Sequence, residues 1–106
     1  MRIELDEVIW VESESLSVEQ LLERSGLPVE LLQELESGGC IEPVDPAAAP
    51  PKYGARALHA ARRASRLHRD FELDASALLL VLGLLDRVAE LETQLSQLQV
   101  RMPRLR

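Results

Sequence analysis

Apolar residues recur at three- and four-residue spacing in four stretches of this 106-residue chain, each bounded by residues that start or stop a helix. The first is 17–25, with Val18, Leu21 and Leu22 on its inner side. Ser17 is a good N-cap, Gln20 completes a capping-box pattern, and Gly26 breaks the helix. The second is 28–37, where Leu31, Leu32 and Leu35 repeat at helical spacing. Pro28 suits the first helical position, because its missing N–H has no intrahelical partner there, and Gly38-Gly39 end the run. Two short helices about a glycine turn predict a helix-turn-helix within Ser17 to Pro43. Ahead of it, residues 3–11 alternate in part and are rich in β-branched and aromatic types, which predicts a short strand anchored by Trp10.

Residues 40–54 carry Pro43, Pro46, Pro50, Pro51, three successive alanines and Gly54, and read as a loop. Short strands at Cys40–Glu42 and near Tyr53 would make it a wing; a plain linker is the alternative. From Ala55 to Phe71 the pattern is helical again. Ala57, Ala60, Ala61, Ala64, Leu67 and Phe71 share one face, with His59, Arg62, Arg63, Arg66 and Arg69 on the other. Asp70 to Asp74 makes a break, and Asp74 can cap the next helix.

That last helix runs from about Ala75 to Met102, and Pro103 stops it. Val81, Leu84, Val88, Leu91, Leu95, Leu98 and Met102 form a coiled-coil seam flanked by Arg87, Glu90, Glu92, Gln94 and Gln97. Leu78, Leu79, Leu82 and Leu85 widen the stripe near its start. The base is therefore expected to pack on the globular part, while the tail meets another chain. Valine at two first-core positions with leucine at the alternate ones favours two strands, which predicts a homodimer. Parallel and antiparallel arrangements both fit. The chain divides into residues 1–74, a helix-turn-helix domain with the wing loop 40–54, and residues 75–106, the long dimerisation helix.

Charge changes this picture. The net charge is −6, and residues 1–54 hold twelve acids against Arg2, Arg24 and Lys52, whereas residues 55–106 hold nine arginines against six acids. The second helix of the helix-turn-helix has Glu30, Gln33, Glu34 and Glu36 as its polar positions, with no Lys or Arg. A helix that enters the major groove needs donors for base edges and phosphates, so direct DNA binding is not expected. These acids would instead steer a basic protein surface, or simply solvate the helix. The arginine face could grip phosphates or carboxylates, or serve as a solvated side.

Little supports chemistry. Cys40 is the only cysteine, which excludes an internal disulfide, fits a reducing compartment and suggests a core position. His59 and His68 lie nine apart, not at ligand spacing, and there is no phosphate-binding glycine loop. No catalytic residue, cofactor or metal is expected. Residues 1–30 lack the apolar core of a signal peptide, and Ala75–Leu85 falls short of the roughly 20 residues that span a bilayer, so a soluble cytoplasmic protein is expected.

Three stretches carry a resemblance. They are Leu27 to Pro43, ending Gly-Gly-Cys-Ile-Glu-Pro; Ala61 to Asp74, an arginine-bearing helix followed by Asp-Phe-Glu-Leu-Asp; and Leu78 to Leu95, with Val-Leu-Gly-Leu-Leu-Asp at its centre. Helix-turn-helix, wing-like loop, basic helix and long seamed helix together resemble the MerR-type DNA-binding domain with its dimerising helix. The closer resemblance is to the chaperone modulatory CbpM family of small MerR-like proteins. It implies a mainly α, winged helix-turn-helix fold with a short N-terminal strand. It also implies a non-enzymatic modulator that binds the J-domain of a DnaJ-like co-chaperone (CbpA) and blocks Hsp70 engagement. On that reading Glu30, Glu34 and Glu36, and next Asp70, Glu72 and Asp74, imitate an acidic Hsp70 site; alternatively Arg62, Arg63, Arg66 and Arg69 make the contact. The runner-up is a MerR-like DNA-binding transcriptional regulator, and a third reading is a structural coiled-coil adaptor.

Overall fold

The computed structural model describes residues 15–101, and the strand expected over 3–11 lies outside them. Its four helices are α1 (Val18–Ser25), α2 (Val29–Ser37), α3 (Ala55–Phe71) and α4 (Ala75–Arg101). The fold is mainly α.

Local chemistry sets most helix ends. Ser17 Oγ accepts from the Gln20 N–H at 3.2 Å, while Gln20 Oε1 accepts from the Ser17 N–H at 3.0 Å, so both halves of the capping box form. Gly26 closes α1 at φ 75°, donating its N–H to Leu22 O at 2.8 Å. Only glycine takes this left-handed turn without strain. Ser25, buried beneath, accepts from the Leu27 N–H at 3.2 Å. Pro28 falls one position earlier than its sequence suggests: its ψ of 145° makes it the cap of α2 rather than the first helical residue. At the far end the Cys40 N–H bonds Leu35 O at 2.9 Å, turning the chain so that Ile41 drops into the core.

The loop 40–54 departs from the expected strand-loop-strand. Cys40–Glu42 forms no strand among the described residues, and Tyr53 pairs with Leu16, in an antiparallel bridge with both N–H···O bonds at 2.8 Å. The four prolines remove the N–H donors that a ladder needs. The loop is closed at its neck by the Val44 N–H donating to Lys52 O at 2.8 Å.

Leu16, Leu21, Leu27, Leu32, Leu35, Ile41, Tyr53, Ala57, Leu58, Ala61, Ala64, Leu78 and Leu82 form one core. Helix α3 runs through it, packed on α1 and α4, and α2 packs on α4. The alanines of α3 permit that close approach. Each fully buried leucine stabilises the fold by roughly 1.5–3 kcal/mol. The face of α3 differs from expectation at its end: Leu58 and Ser65 are buried, whereas Phe71 is 66% exposed. The last turn runs past the core, and Glu72 then takes a left-handed conformation at φ 56°. His68 Nδ1–H donates to Leu73 O at 2.8 Å across this corner, and Asp74 Oδ1 caps α4 by accepting from the Ala77 N–H at 2.9 Å.

Helix α4 has two parts. Leu78 and Leu82 are buried and Leu79 half-buried, as expected for its base, whereas Leu85 of the same stripe is exposed because it lies past the core; Val81, first of the seam, is half-buried and Leu80 points outward. From Gly83 to Arg101 every residue is exposed. The whole helix, 27 residues, extends about 40 Å, so more than half of it stands clear of the core.

Candidate functional site

The acidic helix α2 owes its outward face to the inward one. Leu32 and Leu35 bury against the core, and the helical repeat then turns Glu30, Gln33 and Glu34 to solvent, where all three are exposed. Gly38 lets the helix end close on α4, since a Cβ there would overlap the Leu79 side chain. Glu36 is placed differently. It is half-buried, and its Oε2 accepts a hydrogen bond from the Tyr53 hydroxyl. Burial pushes the Tyr53 phenol up to about 12, helped by the hydrogen bond to Glu36 and by its charge. Tyr53 thus ties the proline-rich loop to α2 on one side and to Leu16 on the other. Sequence reasoning placed Tyr53 in the wing without seeing this latch; the one available signal was a lone tyrosine in a proline-rich loop following an acidic helix.

The second acidic group lies on another element, the α3–α4 corner. Asp70, Glu72 and Asp74 are exposed there. Asp74 Oδ1 is engaged as the cap of α4, and Glu72 holds the left-handed turn, so Asp70 alone has no structural task in that corner.

The arginine face of α3 divides as well. Arg62 and Arg63 are half-buried and Arg66 and Arg69 exposed. Arg63 Nη1 meets Asp86 Oδ1 at 3.6 Å, a bridge from α3 to α4 with Asp86 largely in water. Solvent screening limits such a pair to under about 1 kcal/mol. Asp86 lies 23 residues from Arg63, so local periodicity does not reveal the pair.

Along α4, Leu84, Val88, Leu91, Leu95 and Leu98 are each about half-exposed and continue the row that Val81 begins at the edge of the core. Leu80 is 64% exposed and joins the lower end of this row, a member that the seam pattern alone missed. A continuous apolar row of this length on a protruding helix has no cover within the described chain.

The model for the MerR HTH family regulatory protein matches residues 16–100, most of the chain. This chain belongs to the MerR helix-turn-helix family. No curated protein matches it significantly. The match spans all four helices, from the α1–α2 pair about Gly26 to most of the long C-terminal helix α4. The second helix here presents carboxylates and no Lys or Arg, while Arg62, Arg63, Arg66 and Arg69 stand on α3.

Chemically the surface is sparse. Cys40 packs partly against the core, and burial, with the charge of Asp86, raises its thiol pKa, which disfavours the reactive thiolate. Among the described residues no group of three or more His, Cys, Asp or Glu could hold a metal ion, and no helix is long and apolar enough to cross a membrane.

Proposed function

We propose that this MerR-family chain is a non-enzymatic, cytoplasmic modulator that binds the J-domain of a DnaJ-like co-chaperone such as CbpA and blocks its engagement of Hsp70. The observation that carries this reading is the second helix of the helix-turn-helix. It presents Glu30, Gln33 and Glu34 to solvent where a groove reader needs cations. A basic J-domain helix complements that face, and complementary charge steers encounter and selects partners. The CbpM-like features of the sequence name the partner class. Glu30 and Glu34 are the contact residues, with Asp70 in the second acidic group; Glu36 serves the fold through Tyr53. The protein acts as a homodimer through the α4 seam.

Titration calorimetry of the full chain against a CbpA-type J-domain tests this. Charge reversal of Glu30 and Glu34 to lysine should abolish binding and leave the circular dichroism spectrum unchanged; unchanged affinity would sink the acidic-helix reading. Glu36 stays native in this test because reversing it removes the Tyr53 acceptor. A second reading, DNA binding, is favoured by the family and by exposed Arg66 and Arg69. It requires a salt-dependent shift on duplex DNA that Arg66→Ala and Arg69→Ala weaken.

A further inference from the structure

Exposed carboxylates steer a partner but hold it weakly, because water and salt screen each ion pair. Tight association needs an apolar anchor beside them. The exposed large hydrophobics of the described residues fall into two sets: those of α4, and Val29, Val44 and Phe71. Val29 and Val44 are small, and each follows a proline. Phe71 is the largest of the three, is 66% exposed, and stands in the chain between two exposed acids, Asp70 and Glu72.

The position of Phe71 follows from the helix. It lies one turn beyond Leu67, the last apolar residue of α3 that packs on the core. Arg66 and Arg69 leave α3 about 140° and 160° round from it, and Arg63 is drawn to Asp86. The charges that flank the ring in the chain are therefore carboxylates, and the carbonyl end of α3 adds partial negative charge at the same corner. Hydrogen bonds fix this corner: His68 Nδ1–H to Leu73 O at 2.8 Å, the Ala77 N–H to Asp74 Oδ1 at 2.9 Å, and the Leu78 N–H to Asp74 O at 2.9 Å. A ring with two torsions on a fixed corner loses little freedom when a partner covers it. The corner also lies at the same end of the molecule as the C-terminus of the acidic helix, since Gly38 closes on Leu79, one turn into α4.

A lysine or arginine fits this arrangement. Its aliphatic stem lies along the ring, its cation interacts with the ring face, and its head reaches a carboxylate on either side. A purely apolar partner would desolvate Asp70 or Glu72 without a cation, and an anionic one would be repelled. We propose that the α3–α4 corner is a second docking point for the basic J-domain helix, with Phe71 as its anchor and Asp70 and Glu72 pairing with lysine or arginine beside it. The assignment rests on the J-domain reading of the acidic helix, and adds the residue that supplies affinity where α2 supplies steering.

Titration calorimetry of the full chain against the same J-domain tests the corner. Phe71→Ala should weaken binding about thirtyfold, Phe71→Trp should keep or strengthen it, and the circular dichroism spectrum should not change, because the ring stands mostly outside the core. Asp70→Asn should flatten the salt dependence of binding, whereas Phe71→Ala should leave its slope unchanged. Native affinity in Phe71→Ala overturns the corner and leaves the acidic-helix reading standing. No binding by the native chain overturns both. Should alanine disturb α3, Asp70→Lys decides with the ring in place: undiminished affinity overturns the corner. A lower mass of Phe71→Ala in sedimentation places a second copy on the ring and overturns the partner assignment.

Discussion

Removing one hydroxyl, in Tyr53→Phe, separates the latch from the surface. Tyr53 is 1% exposed and its hydroxyl donates to the half-buried carboxylate of Glu36. A hydrogen bond to a charged group contributes about 1.5–3 kcal/mol, and the partial exposure of Glu36 places this one near the lower end, about 1–2 kcal/mol. The phenylalanine ring still fills the core, so the loss is that of the bond rather than of packing. For a domain of this size the variant should melt about 5–10 °C lower. The tyrosine also supplies its own assay, being the only one in the chain. Its near-ultraviolet tyrosinate absorbance should titrate near 12 rather than at the ordinary 10. Because the folded pKa lies above the unfolded one, the latch is fully present below pH 10 and is lost as pH rises towards 12. The difference in stability between native protein and Tyr53→Phe should therefore narrow over that window. An ordinary titration midpoint, or a Tyr53→Phe variant of unchanged melting temperature, would refute the latch and return Glu36 to the pool of free acidic contacts.

Two further outcomes follow from the same structure. Glu72→Gly should stabilise the chain by up to about 1 kcal/mol, since glycine takes the observed φ of 56° without the left-handed penalty; a lower melting temperature would show that the Glu72 side chain contributes more than its backbone costs. Leu78→Ala, at a fully buried position that seats α4 on the core, should lose about 2–5 kcal/mol by thermal or urea denaturation, and a loss below 1 kcal/mol would mean that α4 is not held there.

Local features were legible in the sequence because their partners lie within a turn of one another. The Ser17–Gln20 box, the Gly26 stop and the Asp74 cap each join residues two to four apart, and all three form as read. The charge of α2 was legible too, since the spacing of Leu32 and Leu35 alone fixes which side faces water. The loop was not. Proline content announced irregular backbone, but nothing near Tyr53 in the chain named Leu16 as its bridge partner or Glu36 as its acceptor. Phe71 shows the limit of periodicity from the other side: it falls on the alanine face of α3 by count, yet that face outruns the core.

By itself, then, the amino-acid order determined the helices, their caps, the acidic character of α2, the basic character of α3 and the heptad row of α4. These are properties of spacing and side-chain type within single elements. Tertiary structure alone decided which charged groups remain available. Contact between distant segments engaged Glu36 with Tyr53 and aligned Arg63 with Asp86, while leaving Glu30, Glu34 and Arg66 in water. It also decided where α4 leaves the core, at Gly83, and so how much of its apolar row stands uncovered. Packing of distant elements consumes some polar and apolar groups and spares others, and that selection is made by three-dimensional proximity, which local periodicity does not encode.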